Sequence, residues 1–190
     1  SFIDLATGQQ PLTNERGTLW IAFNGEIFNY VELRDELVLR GHTFATRSDT
    51  EVIVHAYEEW GADAFRRFNG QWAVGLWDSE RSEMVLARDP FGVRPLYVAE
   101  HDERVLFASE VKALFAADPS LPRRFDPVGL DQLFTFWSPV APRTVFEGIQ
   151  EIEPGTVRVY TPTSVRHYRS YEPAFPMGEV GRFKGTLDDA

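Results

Sequence analysis

Thr18 to Phe23 (TLWIAF) is a short apolar run with aromatic and β-branched members, and it predicts a strand. It runs into Asn24-Gly25, a pair that commonly turns the chain because both residues tolerate positive φ. From Tyr30 to Arg40, Leu33 and Leu37 fall one turn apart, Glu36 and Arg40 form an i,i+4 pair, and Asn29 and Gly41 suit the two ends of a helix. His42 to Thr46 (HTFAT) reads as a short strand. In RSDTEVIVHAYEEWG, Ser48 and Glu51 fit a capping box, while Val52, Ile53, Ala56, Tyr57 and Trp60 follow a helical period that Gly61 closes. QWAVGLWD and MVLARD read as strands around SERSE, and LYVAE and VLFAS as a second pair around HDER, with the stiff PFGVRP between the pairs. Glu110 to Ala117 and Val128 to Trp137 predict two further helices, and GTVRVY a last strand. The aromatic-rich FTFW at 134–137 reads as core packing rather than as a face for a second domain.

Antiparallel hairpins interleaved with amphipathic helices imply a layered α+β domain. From Thr161 the chain gains Pro and Gly and loses its period, so residues 1–160 read as the domain and 161–190 as an extension or linker. At 190 residues and 43 % hydrophobic, the chain is long and apolar enough to fold around its own core. A formal net charge of −10 provides no basic excess for phosphates, which argues against nucleic acid and against anionic membranes. No apolar run is long enough to span a bilayer, and no signal-peptide pattern opens the chain. Zero cysteines exclude disulfides and zinc-thiolate sites and favour a cytoplasmic protein. The missing initiator Met suggests a fragment or a processed product.

Few residues stand out for chemistry. Asn24-Gly25 is either a plain turn or a pair of convergent N–H donors able to hold the oxyanion of an acyl-transfer intermediate. Asp49 is either a first-turn acid of its helix or a carboxylate facing a cationic ligand. Arg88, Asp89 and Arg94 read as a buried structural network. His42, His55, His101 and His167 show no metal-ligand spacing, so no metal site is expected, and His55 reads as a core or edge residue.

FNGEIFNY, RSDTEVIVHAYEEWG, FNGQWAVGLWD, LARDPFGVRPLY, LFASEVKAL and EIEPGTVRVY occur in that order. Together these blocks make the chain resemble the N-terminal glutaminase domain of glutamine-dependent asparagine synthetases, a class II glutamine amidotransferase. The resemblance implies a four-layer α/β/β/α sandwich of N-terminal-nucleophile hydrolase type with mainly antiparallel sheets. It also implies an N-terminal Cys nucleophile that hydrolyses glutamine to glutamate and ammonia. A synthetase domain of the same polypeptide, using ATP and Mg2+, would consume the ammonia to amidate aspartate or a related carboxylate. No cofactor is implied for the glutaminase domain itself.

On the matched positions, Asn24 and Gly25 would form the oxyanion hole, Glu26 would touch the glutamine, and Asp49 would hold its α-ammonium. Ser1, Phe2 and Ile3 would contribute backbone contacts near its carboxylate. The opening Cys-Gly-Ile segment, the Arg expected two positions before SFID, and the synthetase domain's Ser-Gly-Gly-x-Asp-Ser loop have no counterpart. These 190 residues alone are therefore expected to be inactive. The alternative is a vestigial, non-hydrolysing scaffold like that of β-lactam synthetases. The oligomeric state stays open.

Overall fold

The computed structural model describes residues 9–174. A six-stranded antiparallel sheet in the order β1-β2-β3-β4-β8-β9 is built from Leu12–Thr13, Leu19–Ile27, Gly70–Asp78, Glu83–Arg88, Thr156–Tyr160 and Val165–Arg169. A three-stranded antiparallel sheet in the order β6-β5-β7 comes from Arg104–Ala108, Tyr97–His101 and Ile149–Glu151. The helices are α1 (Tyr30–Leu39), α2 (Asp49–Trp60), α3 (Val111–Ala117) and α4 (Pro127–Phe136), with a 3-10 turn at Gly61–Arg66 after α2.

Strand alternation sorts the core into the spaces between layers. Ile21, Phe23, Val74, Leu76, Val85, Ala87, Val157 and Val159 face α1 and α2, meeting Leu33, Leu37, Val52, Ile53 and Ala56. Their sheet neighbours Ala73, Leu86 and Tyr160 face the other way, onto Leu96, Val98 and Ile152 of the second sheet region. Ala99 and Ile149 of the small sheet then meet Leu114 of α3 and Leu121. The expected α/β/β/α sandwich of mainly antiparallel sheets is the observed fold.

Several elements depart from the sequence reading. Strand β2 does not end at Phe23. It continues through Asn24-Gly25 to Ile27, with Asn24 opposite Ala73 and Gly25 opposite Trp72. His42–Thr46 is irregular rather than a strand, because the Glu51 carboxylate takes the amides of Ala45 and Thr46 at 2.7 Å each. The capping box is thus half formed: Ser48 Oγ accepts from the Thr50 amide, a cap worth about 1 kcal/mol, while Glu51 reaches past Ser48. Aperiodic chain after Thr161 still forms β9, which pairs with β8. FTFW is not core: Phe134 is 82 % and Trp137 91 % exposed. Helix α4 is fixed through Gly129 instead, where a Cβ would stand 2.1 Å from the Thr144 carbonyl oxygen.

The RDPFGVRP stretch is structural, and its charged groups serve the backbone. Buried Asp89 accepts from the amides of Trp72, Phe91, Val93 and Arg94. Arg88 donates to the carbonyls of Gly92, Arg94 and Ile152 at 2.7 Å each and pairs with Glu151 at 2.8 Å.

Candidate active site

The site is written into the edge of β2. In an antiparallel pair, a residue's N–H and C=O both point to one side, and the side alternates along the strand. Trp72 directs both groups to Asp89, accepting from its amide at 2.8 Å and donating to its carboxylate at 3.2 Å. Gly25, opposite Trp72, therefore does not spend its amide on β3, and the amides of Phe23, Gly25 and Ile27 all point to the other edge. Strand β1 reaches only as far as Ile21, so it leaves these three uncovered. Gln10 Oε1 takes the Phe23 amide at 2.6 Å, and Asp49 Oδ2 takes the Ile27 amide at 3.1 Å. The Gly25 amide between them has no acceptor among the described residues.

Gly25 is needed for close approach rather than for a turn. Its φ is +143°, and a Cβ there would lie 2.1 Å from the Gln71 carbonyl oxygen and 2.7 Å from Trp72 Cα. Gly70 answers it across the ladder, where a Cβ would meet the Glu26 carbonyl oxygen at 2.2 Å. Side chains of Asn24 and Glu26 share the face opposite Phe23 and Ile27. Asn24 Nδ2 donates to Ser109 Oγ at 3.2 Å, which fixes the carboxamide and leaves its second N–H available. Asn24 and Ser109 open into a cleft of about 270 Å³ shared with Gln10, Ala22, Leu96 and Phe107.

Asp49 is the first residue of α2 and is 1 % exposed. Burial pushes its carboxyl above the usual range. The Ile27 and Thr50 amides oppose the shift, and the negative charge of Glu26 adds to it. Asp49 and Glu26 form no ion pair among the described residues. Two neighbouring carboxylates, one of them buried, thus have no cation partner among the described residues. Asp49 meets β2 three residues from Asn24, about 10 Å along the strand. It does not line the Asn24 cleft, and neither do Gly25 and Glu26. Ser1, Phe2 and Ile3 lie outside the described residues.

Two residues here escaped the sequence reading. Gln10 holds the strand edge and Ser109 holds Asn24. Ser109 sits inside LFASEVKAL, but nothing local to that block points to a contact 85 residues away.

Two stacked antiparallel sheets between helical layers are the fold of the N-terminal-nucleophile hydrolases. The glutamine phosphoribosylpyrophosphate amidotransferase of Bacillus subtilis has the same fold, with a TM-score of 0.61 and 24 % identity over 86 % of this chain and 32 % of that one. The chain belongs to the glutamine amidotransferase domain family, whose model matches residues 1–172. It is 38 % identical over 171 residues to the glutamine-hydrolyzing asparagine synthetase 1 of Bacillus subtilis, covering 90 % of this chain and 27 % of the relative. It is 37 % identical over 170 residues to asparagine synthetase 3 of the same organism, covering 88 % and 28 %. The chain thus spans about a quarter of the length of these relatives and matches the glutaminase domain of asparagine-synthetase-like proteins.

Proposed function

We propose that this domain cleaves the side-chain amide of glutamine and passes the ammonia to an ATP- and Mg2+-dependent synthetase domain of the same protein, which amidates aspartate or a related carboxylate. The observation that carries the reading is the Gly25 amide, without an acceptor among the described residues, next to the Asn24 carboxamide and flanked on the same strand edge by buried Asp49, which has no cation partner among those residues.

The chemistry follows from these groups. A thiolate adds to the amide carbon, and the carbonyl oxygen gains negative charge. The Gly25 N–H and the free Asn24 Nδ2–H meet that charge as it forms, where donors fixed in advance lower the barrier most. The C–N bond breaks, ammonia leaves with a proton from the nucleophile's side, and water releases glutamate from the thioester. Asp49, helped by Glu26, holds the α-ammonium. These 190 residues contain no cysteine, so the thiol is not among them. The proposal includes a cytoplasmic location, where a thiol nucleophile stays reduced.

The test uses the protein with the family's N-terminal cysteine in place. Amide-labelled glutamine should release labelled ammonia and glutamate in equal amounts. Binding of glutamine without release would favour the vestigial scaffold instead.

A further inference from the structure

Outside the active site, the fold brings together two of the four histidines. We propose that His42, His55 and Glu58 form a binding site for a divalent transition metal of the zinc class.

One nitrogen of each imidazole and one Glu58 oxygen lie within 4.8 Å of one another. Glu58 Oε2 stands 2.9 Å from His55 Nδ1 and 3.7 Å from His42 Nδ1. Donors around a tetrahedral Zn2+ with bonds of about 2.0–2.1 Å stand roughly 3.3 Å apart, a value these two distances bracket. Small ring tilts would bring the three donors around one ion.

The groups behind the donors fit the same reading. His42 Nε2 meets Glu59 Oε2 at 3.2 Å, which places the ring proton on that side and turns Nδ1 into an acceptor. His55 Nε2 is buried without a hydrogen-bond partner among the described residues, 3.7 Å from Glu51 Oε1 and 3.8 Å from Glu15 Oε1. A hydrogen-bonded carboxylate thus backs the His42 ring, as is usual for metal-bound histidine, and behind His55 two carboxylates lie just beyond hydrogen-bond distance. Asn14 Nδ2 donates to Glu58 Oε1 at 2.8 Å, with Arg16 at 3.9 Å on the same oxygen, so Oε2 is the oxygen left for an ion. His42 is partly exposed, which gives an ion entry from solvent, and His55 is 1 % exposed, which anchors the far side.

The competing occupant is a proton. Burial disfavours charge on His55, but the Glu51 and Glu58 carboxylates outweigh it and raise its pKa to about 9. A bound metal would replace that proton and staple the 42–48 segment onto α2, immediately before Asp49.

Chelator-stripped protein titrated calorimetrically with ZnCl2 should bind one equivalent, and Co2+ should give the visible absorption of a tetrahedral site. Zn2+ at a hundredfold its Kd should raise the unfolding midpoint by roughly 5–10 °C. His42→Ala, at a partly exposed position, and Glu58→Gln, which keeps an oxygen for Asn14, should each weaken binding by at least tenfold. His167→Ala, a control on strand β9, should leave it unchanged. No saturable binding below about 100 μM would overturn the proposal and leave His55 as a protonated ion-pair partner. Undiminished binding in both ligand variants would equally overturn it, by placing the ion elsewhere.

Discussion

Asp49→Asn separates substrate binding from fold stability, because the structure gives the two opposite signs. Asp49 is 1 % exposed, has no cationic partner among the described residues, and keeps its Ile27 contact at 3.1 Å through a group that asparagine reproduces. Burial raises its folded pKa above 3.8, so its contribution to stability is present below pH 3.8 and is lost as pH rises through the folded pKa. At neutral pH the ionised carboxylate is therefore a cost to the fold, and the amide should leave the unfolding midpoint unchanged or higher. Glutamine should suffer instead. A charge-assisted hydrogen bond to its α-ammonium is worth about 1.5–3 kcal/mol, or roughly a ten- to hundredfold rise in KM. The ammonium keeps its charge throughout amide cleavage, so kcat should change little. The assay is glutamate release by the cysteine-bearing enzyme across glutamine concentrations, beside thermal unfolding of the same two proteins. In the parent enzyme KM should also rise as pH falls towards the elevated Asp49 pKa, and the variant should lose that dependence. An unchanged KM, or a lowered midpoint, would refute the reasoning and leave Asp49 as a helix-start acid.

Other tests address the strand edge and the nucleophile. Asn24→Ala should lower the glutamine-dependent kcat by about 10²–10³ while ammonia-dependent synthesis survives, and a joint loss of both activities would point to damaged folding. Gly25→Ala forces a Cβ to within 2.1 Å of the Gln71 carbonyl oxygen, with rigid backbone on both sides. It should cost about 3 kcal/mol and lower the midpoint by roughly 6–12 °C, whereas Gly17→Ala, with open space around its Cβ, should cost about 1 kcal/mol. The 190-residue chain, without cysteine, should release no glutamate above the blank, and turnover abolished by Ser1→Ala would make Ser1 the nucleophile.

The helices and hairpins were legible in the sequence because their signals are local. Leu33 and Leu37 recur at helical spacing, and Ser48 and Gly61 mark the ends of α2. The motif blocks pointed to Asn24, Gly25 and Asp49 only through the resemblance, since each residue read in place is equally a turn or a helix-start acid. Tertiary contact decided the rest. A glycine that turns a chain and a glycine that lets two strands close on each other look identical in sequence, and only the carbonyl of Gln71 distinguishes them. The Gly25 amide faces away from β3 because Trp72 opposite it turns its backbone groups to Asp89, 64 residues on from Gly25. FTFW reads as core from its composition alone, yet α4 is held by the one glycine that admits the Thr144 carbonyl, which leaves the aromatics outside. His42 and His55 have no ligand spacing along the chain. They meet because Glu51 takes the amides of residues 45 and 46 and folds that segment back onto α2.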